Sequence, residues 1–168
     1  RQQVEKLCKQ DAGAYVSTLF APYGLPNDFP GKGRPDFPQT GSGHSKAEFL
    51  EAQWALDVAQ NNFIPNLLVH EFEALLFVRL DVFKQWTDDD EVLSPLRTAR
   101  QQEAPEDINE GIQTAPSKRI LAAWSGYQKT VHGPLIACDI GLNAIREECP
   151  HFDAWLEKLD ALAHRTLK

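Results

Sequence analysis

Methionine is absent from all 168 residues, and cysteine occurs only at Cys8, Cys138 and Cys149. The three cysteines form no CxxC pair and are too few for a disulfide framework, so a reducing cytoplasm is expected, with each thiol a small buried apolar group. No segment approaches the roughly 18–20 uninterrupted apolar residues of a membrane span, and no signal-peptide pattern precedes the first polar helix, so neither a membrane partner nor export is expected. A basic excess is lacking too: 17 Lys and Arg stand against 24 Asp and Glu, for a net charge of −7. That balance excludes nucleic-acid binding through a broad basic footprint and confines any phosphate contact to a local or metal-mediated one. P-loop, GxGxxG and GxSxG patterns are missing, which leaves NTPase, dinucleotide-binding and serine-hydrolase readings without their motifs. There is no internal repeat, low-complexity tract or heptad series. Because the chain opens at Arg1 inside a helical pattern with no initiator, a further N-terminal piece is expected.

What is present suffices for one domain with a real core, at 42% hydrophobic content. Arg1 to Gln10 reads as a helix, Ala14 to Phe20 as a strand, Ser45 to about Gln60 as a helix with Glu48 completing a capping box, and Phe63 to Val69 as a second strand. Phe49, Ala52, Gln53 and Leu56 mark the expected apolar face of the second helix. Between them, residues 22–43 hold five of the eleven prolines and five of the ten glycines, which predicts a long irregular loop. This alternation predicts an α/β fold with parallel strands joined by right-handed crossovers, a first strand lying before Arg1. After Leu80 the pattern turns helical: Asp81–Trp86, Asp89–Gln102, Pro116–Trp124, Lys129–Asp139, Leu142–Glu148 and His151 to about Arg165, with a polar linker over 103–114. We therefore divide the chain into an α/β core over 1–79 and a helical part over 80–168 packed on the same domain.

The densest chemistry lies where the apolar run from Phe63 ends in His70, Glu71 and Glu73. Acidic groups just past a strand's carboxyl end are where open α/β sheets collect ligands. On a regular helix Glu71 and Glu73 would point about 200° apart, at ~100° per residue; on an extended or turning segment they can converge and bind a hard cation such as Mg²⁺. The competing reading makes them helix N-terminal acids favoured by the macrodipole. His70 is better read as an orienting group than as a zinc ligand, because position 74, where the zincin pattern needs a second His, is Ala74. Thr114-Ala-Pro-Ser-Lys-Arg-Ile120 predicts a helix start capped by Thr114, with Ser117, Lys118 and Arg119 offering backbone donors and cations to phosphate. Tyr127, Lys129, His132 and Gly133 follow closely and add to the same surface, with Lys129 a further phosphate-binding candidate. Phe152, Trp155, Leu156 and Leu159 are packing residues at helical spacing.

His70-Glu-Phe-Glu-Ala-Leu-Leu-Phe77, with Tyr23-Gly-Leu-Pro26, Phe29-Pro-Gly31, Thr114 to Ile120 and Cys149-Pro-His-Phe-Asp-Ala-Trp155, resembles an uncharacterised bacterial family of RloG-like proteins over about Tyr15 to Leu159. That family is classed with TOPRIM-like folds and occurs near restriction or phage-defence genes, often beside an ATPase. The resemblance implies a TOPRIM-like three-layer domain in which Glu71 and Glu73, at the third-strand position, hold Mg²⁺ or Mn²⁺ for phosphoryl transfer on nucleic acid, nuclease-like, in the cytoplasm. It also implies a first-strand acid, expected before Arg1. The family pattern carries another acid just before Tyr-Gly-Leu-Pro, where this chain has Ala21-Pro22. The alternatives are a non-catalytic module of the same fold that docks on a partner ATPase and, third, a small-molecule phosphohydrolase.

Overall fold

Two parallel strands organise the N-terminal part of the computed structural model, which describes residues 1–87, 89–108 and 114–166. β1 (Val16–Ser17) and β2 (Phe63–Ile64) pair Val16 with Phe63 and Ser17 with Ile64. Both are shorter than the expected strands, for a local reason. Pro65 has no N–H to give to the ladder, and the Thr18 hydroxyl takes over the next rung, accepting from Asn66 N at 3.0 Å and donating to Asn66 O at 3.1 Å. Backbone pairing returns at Phe20 and Leu67, where Leu68 N donates to Phe20 O at 2.8 Å. At the other end, Asn62 Nδ2 donates to the carbonyls of Cys8 (3.0 Å) and Ala14 (2.8 Å), tying the last turn of α1 (Gln2–Gln10) to the strand that follows.

The next helix, α2 (Gly43–Val58), is capped by Ser42, whose hydroxyl accepts from Ser45 N at 3.2 Å; Ser45 itself lies in the first turn. Its buried face is Ala47, Leu50, Glu51, Trp54 and Val58, not the Phe49, Ala52, Gln53 and Leu56 face expected from apolar spacing; Leu56 is 73% exposed. An acidic residue on the inner face hides the true stripe from an apolar count. Trp54 centres the core, with Phe29 and Phe63 edge-on at centroid distances of 5.0 and 5.1 Å. The 22–43 segment is a series of tight turns, the N–H groups of Phe29, Lys32 and Phe37 bonding to the carbonyls of Pro26, Phe29 and Arg34. It lies on α2 through Phe29 and through Gly31, whose φ is +93° and where a Cβ would stand 2.9 Å from Gln53 Cγ.

The chain divides into two compact units, Arg1–Val69 and His70–Lys168; the division expected at 79/80 falls within the second. Residues 70–79 belong with the second unit because the 3₁₀ helix Phe72–Val78 buries Ala74, Leu75, Leu76 and Phe77 there, against helices described next. A second 3₁₀ helix, Leu80–Gln85, leads to α3 (Asp90–Gln102), α4 (Pro116–Ala123), α5 (Lys129–Ile140), α6 (Leu142–Glu148) and α7 (Pro150–Thr166). The expected polar linker is partly core: Pro105–Asp107 is a 3₁₀ turn, Ile108 is fully buried, and buried Glu106 accepts from His151 N (2.9 Å) and Phe152 N (3.0 Å) at the start of α7. Residues 109–113 of that linker lie outside the described residues. Cys8 and Cys149 are buried as expected, whereas Cys138 is exposed. The described residues are thus mostly helical with a small two-strand parallel sheet, an α/β arrangement.

In the first unit, buried Glu51 accepts from Leu67 N at 2.7 Å. Glu51→Ala removes that acceptor and is expected to cost about 1–3 kcal/mol in denaturant unfolding, whereas Glu51→Gln, which keeps an amide oxygen there, costs distinctly less.

Candidate functional site

The second unit opens with a residue in extended conformation followed by a tight helix, and this local geometry brings the two carboxylates together. Glu71 has φ −134° and ψ 159° and stands at the N-cap of the 3₁₀ helix Phe72–Val78, while Glu73 lies in its first turn. Tight winding of about three residues per turn, entered from an extended residue, replaces the opposed directions of a regular α-helix. Both side chains are buried, at 7% and 6% exposure. They converge on one cation: Lys129 Nζ lies 3.8 Å from Glu71 Oε1 and 3.6 Å from Glu73 Oε1.

Glu71 is further fixed by the start of α4, where Ser117 N donates to its Oε2 at 2.8 Å. A helix's first N–H groups lack intrahelical partners, and here one is met by a carboxylate 46 residues away in sequence. Glu71 thus serves as an acid at the start of α4, while at its own N-cap position before Phe72–Val78 its side chain makes no capping hydrogen bond. Two hydroxyls complete the cluster. Ser117 Oγ and Tyr127 Oη are buried and have no hydrogen-bond partner among the described residues. Tyr127 lies near enough to Glu73 and Glu71 that their charges add to burial in pushing its phenol pKa up, so it stays a hydroxyl donor in neutral solution. Gly133 makes room for it: a Cβ there would be 3.0 Å from Tyr127 Oη.

Of the residues nominated from sequence, Glu71, Glu73, Ser117 and Lys129 are brought together. Lys129, expected at phosphate, stands between the carboxylates instead. Lys118 is exposed on α4, and Arg119 is committed to the local backbone, its Nε donating to Thr114 O at 2.7 Å. The α4 N-cap is Ala115, not Thr114, and the Ser117 N–H offered to phosphate is taken by Glu71. His70 is half-buried beside Glu71 in the chain. His132 accepts from Gln128 N through Nδ1 at 2.8 Å and packs on Trp124, with centroids 4.6 Å apart. The sequence singles out the Tyr127–Gly133 segment but not the closeness of Tyr127 to the acids; a tyrosine two residues before a lysine carries no such signal.

Among the described residues, no group of three or more His, Cys, Asp or Glu side chains gathers as a metal centre. The donors near the Glu71–Glu73 pair are hard oxygens, of the kind Mg²⁺ and Mn²⁺ take. No helix among the described residues is long and apolar enough to cross a membrane. Residues 1–160 match the family model described as Domain of unknown function (DUF4276). No curated protein and no solved structure matches the chain.

Burial raises the Glu73 carboxyl pKa above its ordinary 4.5, and the Lys129 charge opposes this only in part. The folded protein thus holds that proton more tightly than the unfolded chain does. The resulting stability is fully present below about pH 4.5 and is lost as pH rises through the raised folded value. Glu73→Gln removes this loss, so the Tm of the variant minus that of wild type is expected to become more positive from pH 4 to pH 7, measured without divalent ions.

Proposed function

The chain belongs to the DUF4276 family, and from that premise we propose that it is a TOPRIM-like, Mg²⁺-dependent phosphoryl-transfer protein acting on nucleic acid, nuclease-like, in a restriction-associated or phage-defence system. The observation that carries this reading is the convergence of two buried carboxylates, Glu71 and Glu73, on a single cationic position. The similarity of His70–Phe77 and its companion motifs to the RloG-like proteins supports it independently.

The donor set fits the cation. Mg²⁺ binds through one or two carboxylates, keeps waters and takes substrate phosphates as its remaining ligands, so two glutamates suffice as the protein's share. Glu71 and Glu73 would hold it; when bound, such an ion polarises a phosphoryl oxygen and offsets charge in the transition state. The rest falls to the chain's own groups. The Ser117 N–H holds Glu71 Oε2 and leaves Oε1 turned toward Lys129. Lys118, exposed at the start of α4, supplies a local cation to a polyanion that the net charge of −7 would otherwise repel. His70 orients the segment that carries the acids.

One observation favours a second reading, a non-catalytic TOPRIM-like module that docks on a partner ATPase. Lys129 and Ser117 N already give the pair a counter-charge and a donor, so the cluster can serve as a structural network.

Calorimetric titration with Mg²⁺ and Mn²⁺ separates the two. The phosphoryl-transfer reading expects a saturable site in wild type that disappears in the double variant Glu71→Gln, Glu73→Gln with the circular dichroism spectrum unchanged; the amide introduced by Glu71→Gln keeps an oxygen for Ser117 N. Cleavage of single-stranded DNA or RNA should vanish in the same variant. Absence of a saturable site in wild type favours the docking module.

A further inference from the structure

Lys129 is the first residue of α5, where a helix presents its positive end and an ammonium group is disfavoured. It is nonetheless held within 3.8 Å of Glu71 and 3.6 Å of Glu73. The attraction of two buried carboxylates therefore outweighs the dipole. Lys129 is a single positive charge set beside two buried carboxylates. A divalent ion would cancel both, and like charges do not share one position.

We propose that Lys129 is a built-in placeholder for the divalent cation, an internal counter-ion that is displaced from the Glu71–Glu73 pair when the metal binds. The proposal rests on the metal-site reading above and adds its regulation. Three features carry it. The Lys129 side chain is 42% exposed while the carboxylates are 8% exposed, so the lysine can withdraw into water on its flexible stem but the acids cannot. Its distances to both carboxylates exceed those of a direct N–H···O hydrogen bond, so it neutralises without locking. Two hydroxyls, Ser117 Oγ and Tyr127 Oη, stay buried and unpartnered beside this arrangement. A finished structural ion network would satisfy them, because leaving a buried polar group unpaired costs free energy; a site that awaits another occupant need not. Without metal, Lys129 keeps the pair from bare mutual repulsion; with metal, the freed ammonium is available at the site's rim to meet the substrate's phosphate.

The test compares Mn²⁺ titrations of full-length wild type and Lys129→Met. Removing the competitor should lower the Kd for Mn²⁺ by roughly tenfold or more, given unit charges about 4 Å apart in a partly screened site. In parallel, amine acylation of Lys129 in the wild-type protein, read by mass spectrometry, should rise when Mn²⁺ saturates the site, a measurement that does not depend on the variant folding. A saturable wild-type site with unchanged or weaker binding in Lys129→Met, or with Lys129 acylation unchanged or lowered by Mn²⁺, overturns the placeholder while the metal reading stands. No saturable site in wild type overturns both.

Discussion

A carboxylate that leaves water has to be given donors or a counter-charge, and the demand shapes this chain at three places. Glu51 takes the N–H of Leu67, Glu71 that of Ser117, and Glu106 those of His151 and Phe152. Each pairing joins an acid to a backbone group far off in sequence, and each meets two needs at once, since buried N–H groups also require acceptors. In the first unit the pairing fastens α2 to the segment after β2. In the second, the starts of α4 and α7 are both finished by a glutamate from elsewhere, in place of a Ser or Asp at their own N-caps.

For the candidate site this capping has a geometric meaning. Glu71 is held by one oxygen, so the direction of the other is fixed by the position of α4 and not by its own rotamer freedom. Glu73 is fixed differently, through the buried 3₁₀ helix Phe72–Val78 that carries it. Two acids oriented by independent supports meet at Lys129, and preorganisation of that kind is what allows a small number of protein ligands to hold a hard cation.

Helices are legible in the sequence nearly to their bounds, strands in their place and parallel pairing but not in their length. Leu142–Glu148 is found with its expected bounds, and α1, α3, α4, α5 and α7 begin or end within a residue or two of expectation, because caps, prolines and apolar spacing are local signals. The strands depend on Thr18 answering Asn66, a long-range substitution that no propensity encodes. The inner face of α2 escapes an apolar count because Glu51 interrupts its stripe. At the site, Glu71, Glu73, Ser117 and Lys129 all stand out by type and position, yet the role of Lys129 turns on a distance that only the fold sets. That Phe72–Val78 winds as a 3₁₀ helix is likewise invisible in a run so uniformly apolar.

The rung that Thr18 supplies has a consequence for how the sheet tolerates change. A backbone ladder is indifferent to which residue occupies a rung, so short strands slip easily. Here the hydroxyl both gives to and receives from Asn66, and only one alignment of the strands brings the two together. The register of so short a sheet is therefore keyed by side chains, Thr18 on Asn66 and Ser17, whose hydroxyl donates to Ile64 O. A valine of nearly the same shape in place of Thr18 would preserve the packing and erase one of the keys.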